Sequence, residues 1–130
     1  MVVYFHGNGG HLGYRTPALR EIAGAGFGVL AIDYRGYGRS TGEPNEAGLY
    51  RDARAAWRFV EAQAPDRPVV LWGESLGTAV AVELATEVDE VGVVLDSPLA
   101  SMPWRCNRSY RLRRGSPSAS AVAVTSPPAC

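Results

Sequence analysis

The sequence predicts an α/β protein with three layers, α/β/α, around a mostly parallel sheet of about four central strands. Three observations carry this prediction. Short apolar runs at residues 2–5, 29–32, 69–72 and 91–95 alternate with stretches whose apolar residues recur at helical spacing. Each run is apolar throughout, as a strand buried on both faces requires. Each is also followed by a turn-rich loop or a sharp turn. The loops therefore collect beyond the carboxyl ends of the strands, the edge where open α/β sheets bind ligands.

The first strand leads straight into His6-Gly7-Asn8-Gly9-Gly10. Its glycines leave backbone N–H groups unshielded and able to point at negative charge. Thr16 is expected to cap a short helix, with Pro17 at its first position and Leu19, Ile22 and Ala23 on one face; Gly24-Ala25-Gly26 ends it. The second strand opens onto Asp33-Tyr34-Arg35-Gly36-Tyr37-Gly38-Arg39-Ser40, where Gly36 and Gly38 suit the positive φ angles of such a loop. Asn45 caps the next helix, whose stripe is Leu49, Ala53, Ala56, Trp57 and Val60 and which Pro65 stops.

The third strand ends in Gly73-Glu74-Ser75-Leu76-Gly77, a G-x-S-x-G, and Val80, Ala81, Leu84 and Ala85 then repeat as one helical face. A strand before and a helix after are the context in which this motif exposes a nucleophilic serine. Gly73 and Gly77 allow a tight turn and a close helix–strand approach. Ser75 is expected to be held in a strained conformation, its hydroxyl outward at the positive end of the helix.

Charge divides unevenly along the 130 residues. Residues 1–102 hold all 13 carboxylates against 8 arginines, a balance of −5, while residues 103–130 hold 5 arginines and no acid. Lysine is absent. Two domains of character follow: a partial core over 1–102, and an Arg/Ser/Pro-rich tail over 103–130 expected to be disordered or loosely attached. Both cysteines, Cys106 and Cys130, lie in that tail, so no disulfide framework holds the core. No apolar run reaches the roughly 18 residues of a membrane span. Met1 opens onto a core strand rather than a secretory leader, so a cytoplasmic location is expected.

The glycine loop at residues 6–9, the loop at 33–40 and the serine turn at 73–77, in that order, resemble the α/β-hydrolase fold family of serine hydrolases. The likeness ends near 96–102, and within the family the chain is similar to small lipase-like enzymes that remove acyl chains from proteins and glycerolipids. The resemblance implies that Ser75 attacks a carboxylic ester or thioester to form an acyl-enzyme. The backbone N–H of Leu76 is then one oxyanion donor, and that of Asn8 the second, with Gly9 in reserve. No metal or cofactor is implied. His6, before the first glycine, is implied to shape the loop rather than act as base, and His11 to sit at the rim. Asp33 and Arg35 are expected to hold their own loop.

Family members order their triad as Ser, then Asp or Glu, then His. This chain has no histidine after Ser75, and Asp96 stands where only some relatives carry the acid. Relatives also carry strands before Val2 and beyond Leu95, so the chain reads as a truncated copy, weak or inactive alone. Without a base, oxyanion stabilisation and binding leave only roughly 10³ to 10⁴ over water. The alternative is a non-catalytic binding module, or pseudoenzyme fragment, that keeps the pocket. The tail fits either a shifted reading frame, favoured because the change is abrupt and arginine-only basic usage suggests GC-rich coding, or a genuine basic extension. Its arginines at 105–114 lack interleaved aromatic spacing, so no nucleic-acid partner is expected. A small acyl ester or thioester is the expected partner, together with self-association through exposed sheet edges.

Overall fold

Four parallel strands carry the molecule in a computed structural model that describes residues 1–97. The strands are β1 (Val2–Phe5), β2 (Val29–Ile32), β3 (Val70–Glu74) and β4 (Gly92–Asp96), in the order β2-β1-β3-β4. The register sets Phe5 beside Ile32 on one side and Gly73 on the other, with Gly73 beside Leu95. All four strands thus end at one edge. The expectations for residues 103–130, and the boundary at 102, lie outside the described residues.

Helix α1 (Thr16–Gly24) covers one face of the sheet, where Val2, Tyr4 and Ile22 form a small core with Leu19 and Trp72 packed on it. Helices α2 (Glu46–Gln63) and α3 (Leu76–Ala85) cover the other, where Val3, Phe5 and Leu71 meet Leu49, Trp57, Val60, Val80 and Leu84. This is the expected α/β/α arrangement. All five residues of the α2 stripe are buried, and Asn45 Oδ1 accepts the Gly48 N–H at 2.8 Å, the capping bond its sequence position implied. Fully burying a residue such as Leu71 contributes about 2 kcal/mol.

Three details differ from the sequence expectation. A 3₁₀ turn, Leu12–Arg15, precedes α1; Thr16 is already helical, and its hydroxyl donates to Gly13 O at 3.0 Å instead of capping. Ala23 faces solvent, because the nine-residue α1 turns it away from the sheet. The strands at 29–32 and 91–95 are largely half-buried rather than buried, since each has a neighbour on one side alone among the described residues, and in the central β3 Val70 and Trp72 are also partly exposed.

Candidate active site

The serine turn joins β3 to α3 at the carboxyl edge. Gly73 and Gly77 are required by space: a Cβ on Gly73 would collide with the Gly77 carbonyl and Thr78 Cα, and one on Gly77 with the Phe5 carbonyl. Ser75 between them has φ 49° and ψ −111°, a region that side chains avoid at a cost of order 1–3 kcal/mol. Its N–H donates to Asp96 O at 2.9 Å, and its carbonyl accepts from Thr78 Oγ1 at 2.6 Å. The backbone is fixed on both sides of the strained residue. Its side chain is half-buried, and the hydroxyl makes no hydrogen bond among the described residues. Leu76, the first residue of α3, has an N–H with no helical carbonyl to bond.

The glycine loop lies against this turn. A Cβ on Gly7 would stand 3.3 Å from Ser75 Cβ. His6 is fully buried, with its ring 4.5 Å from that of Tyr34 and 5.3 Å from that of Tyr37. His6 Nδ1 lies 2.6 Å from Gly7 O, and because a carbonyl oxygen only accepts, Nδ1 carries the proton. Nε2 stands 3.2 Å from Asp33 Oδ1 but is not aligned for a hydrogen bond. In the neutral ring it offers a lone pair, so this proximity is not a bond. Burial holds the imidazole below its ordinary pKa, against the opposing pull of the Gly7 carbonyl and the Asp33 charge.

This contact orients the next amide. The C=O and N–H of a trans peptide point in opposite directions, so drawing Gly7 O toward the buried imidazole turns Asn8 N–H away from it. Neither backbone nor side-chain acceptors among the described residues take that N–H. The Asn8 side chain, which is exposed, accepts from the Tyr37 hydroxyl. Tyr34 donates to His6 O at 2.9 Å, and Leu12 N–H to Asp33 Oδ1 at 3.0 Å. The loop after β2 therefore clamps the loop after β1. Asp33 holds both loops, its carboxylate taking the Leu12 N–H of the first and its carbonyl the Ser40 hydroxyl of its own at 2.8 Å, while Arg35 reaches out to Asp52 on α2, bonding both carboxylate oxygens.

Sequence reading missed Tyr4, Arg15 and Tyr37. Glu74, which precedes the serine, accepts from Tyr4 Oη at 2.7 Å and from Arg15 Nε and Nη2 at 3.1 and 3.0 Å, while Arg15 Nη1 donates to Gly9 O. Arg15's bonds hold the Glu74 carboxyl below its ordinary pKa despite partial burial, with Tyr4 adding to the effect. The local signal was slight: an acid inside the motif and a single arginine ahead of the helix.

Neither histidine of the chain is left over. His11 Nδ1 accepts the Gly13 N–H at 3.0 Å, and its ring lies 4.8 Å from that of Tyr14. Asp96 accepts from the Ser97 hydroxyl at 3.1 Å. A cavity of about 800 Å³ opens elsewhere, along the free side of β2 between Leu30, Ile32, Arg39 and Phe59, and includes neither Ser75 nor Asn8. It marks a flank of the sheet that none of the described residues covers.

A serine on a strained strand-to-helix turn, at the carboxyl edge of a parallel sheet and faced by a glycine-rich loop, defines an α/β-hydrolase. Comparison with known proteins agrees. Over residues 1–125 the chain matches the family described as serine aminopeptidase, S33, and it belongs to that family. It is 39% identical over 119 residues to the human protein ABHD12B, covering 86% of this chain and 33% of that one. It is 36% identical over 106 residues to the lysophosphatidylserine lipase ABHD12 of Xenopus tropicalis, covering 80% and 28%. Among solved structures, the monoacylglycerol lipase of Paleococcus ferrophilus superposes with a TM-score of 0.63 at 30% identity, over 77% of this chain and 39% of that one. The chain spans about a third of the length of these curated relatives.

Proposed function

We propose that this chain carries the nucleophile and oxyanion donors of a serine hydrolase acting on carboxylic esters or thioesters. Ser75 Oγ attacks the acyl carbon as its proton passes to water or to a base outside the described residues, the carbonyl π electrons move onto oxygen, and the amides of Leu76 and Asn8 receive the oxyanion. Collapse of that intermediate re-forms the carbonyl, breaks the bond to the leaving group, which takes up a proton from water or from that base and departs as the alcohol or thiol, and leaves an acyl-enzyme. The observation that carries this reading is the positive φ of Ser75, paired with a hydroxyl that bonds to none of the described residues and a glycine loop against its Cβ. Losing one oxyanion donor typically costs about 3 kcal/mol of barrier. The names of the relatives point to acyl esters of glycerol-type alcohols as the substrate class. A fluorophosphonate probe tests the reading: labelling of the chain that vanishes in Ser75→Ala supports an activated serine.

A second reading, a binding module without turnover, draws on the two histidines. His6 is locked between Tyr34, Tyr37 and Gly7 O, and His11 is turned to Gly13, so neither is free to deprotonate Ser75. Silence toward the probe from a folded chain favours this module.

A further inference from the structure

We propose that Arg15 is a positioning residue that fixes the glycine loop against the serine turn. The inference rests on the hydrolytic reading of Ser75 and adds a role for a side chain distant from it in sequence. Among the described residues, Arg15 is the one that bonds both components of the site. Nε and Nη2 grip Glu74, the residue before Ser75, and Nη1 donates to the carbonyl of Gly9, the residue after Asn8. The guanidinium's planar fork makes such double engagement possible, whereas an ammonium is a single point charge. The pair is largely enclosed, with side-chain exposures of 13% for Arg15 and 26% for Glu74.

Gly7 shows how close the parts are. The position of its absent Cβ is 3.3 Å from Arg15 Nη2, from Glu74 Oε1 and from Ser75 Cβ alike. The ion pair therefore forms the floor on which the loop rests beside the nucleophile. His6 fixes the Gly7–Asn8 peptide from inside and Arg15 fixes the Gly9–Gly10 peptide from outside, so the Asn8 amide is held from both ends. With three glycines in the loop, release of the outer end restores backbone freedom that folding had removed. Tyr4 completes the floor through its bond to Glu74 Oε2.

The test uses the full chain with Arg15→Met, Arg15→Lys and Arg15→Ala. Three readouts are followed: the rate of fluorophosphonate labelling at Ser75, amide hydrogen exchange of the 6–10 segment, and the thermal midpoint. Misplacing a reacting group by an ångström costs about a hundredfold, so Arg15→Met is expected to label roughly ten- to a hundredfold more slowly. Arg15→Lys should recover only part of the rate. Exchange at 6–10 should accelerate while that of α2 and β3 stays as in the parent. Adding ethylguanidinium to Arg15→Ala should restore labelling, a rescue that lost packing alone does not show. Labelling within twofold of the parent, or unchanged exchange at 6–10, overturns the proposal. If the parent itself never labels, the hydrolytic reading fails, and the exchange measurement alone decides whether Arg15 holds the loop.

Discussion

The carbonyl oxygen of Phe5, at the end of β1, occupies the space where any residue but glycine at position 77 would place its Cβ. The atom in the way belongs to the backbone of a fully buried strand and cannot rotate aside. Gly77→Ala must therefore push α3 off β1, and because α3 begins one residue after Ser75, the serine moves with it. Overpacking of this kind costs about 1–3 kcal/mol, or more where backbone is displaced. Urea unfolding of Gly77→Ala should show a loss at or above that range. Gly9→Ala, where a Cβ would meet nothing within 4 Å, should change stability by about 0.5 kcal/mol or less. Equal effects at the two positions would contradict the packing account.

Ser75 holds a conformation that glycine adopts freely. Ser75→Gly should thus raise stability by about 1 kcal/mol while abolishing probe labelling. Ser75→Ala also loses labelling but keeps a Cβ, and should leave the unfolding midpoint near the parent value. A Ser75→Gly chain no more stable than Ser75→Ala would show that the turn stores no strain.

How much of this could be read from the sequence depended on whether a local period carried the signal. The α2 stripe from Leu49 to Val60 was legible because every member answers to the same 3.6-residue repeat and packs on the same sheet face. The serine turn was legible because its glycine spacing is itself local: Gly73 is demanded by Gly77 and Thr78 a few residues on, although the contact that demands Gly77 comes from Phe5 on β1 and could not be read from the sequence. The floor beneath the site was not. Tyr4, Arg15 and Glu74 are separated by up to 70 residues, and a strand tyrosine reads as core until the register places its hydroxyl beside a carboxylate. The partial exposure of 29–32 was likewise invisible, since burial of a strand is decided by its neighbours and not by its own residues.

Acidification should weaken the fold in two separable ranges. His6 has a folded pKa below its ordinary 6.5, so the unfolded chain binds more protons, and stability falls as pH drops below that value toward the folded one. Glu74 has a folded pKa below its ordinary 4.5; its contribution is present above 4.5 and lost as pH falls through the folded value. Thermal midpoints measured across pH should decline first near neutrality and again in the acid range. Glu74→Gln should shrink the lower decline, to which the lowered carboxyls of Asp52 and Glu87 also contribute, and leave the upper. If the upper decline shrinks as well, the assignment of the two groups is wrong.

Self-association should start at β2. Among the described residues its outer side pairs with nothing, its four residues are half-buried, and Phe27 and Phe59 stand 54% and 56% exposed beside it. A free strand edge presents backbone donors and acceptors that a second extended chain can satisfy, and the apolar rim adds burial. The chain is therefore expected to form concentration-dependent oligomers in light scattering. Phe59→Lys places a charge on that rim without opening the core and should lower the oligomer fraction, while the unfolding free energy stays within about 0.5 kcal/mol. A charge reversal beside β4, at the other end of the strand order, with the exposed Asp89→Arg, should leave association unchanged. A parent chain that stays monomeric at every concentration, or a Phe59→Lys chain that associates as strongly as the parent, would remove β2 from consideration as the contact surface.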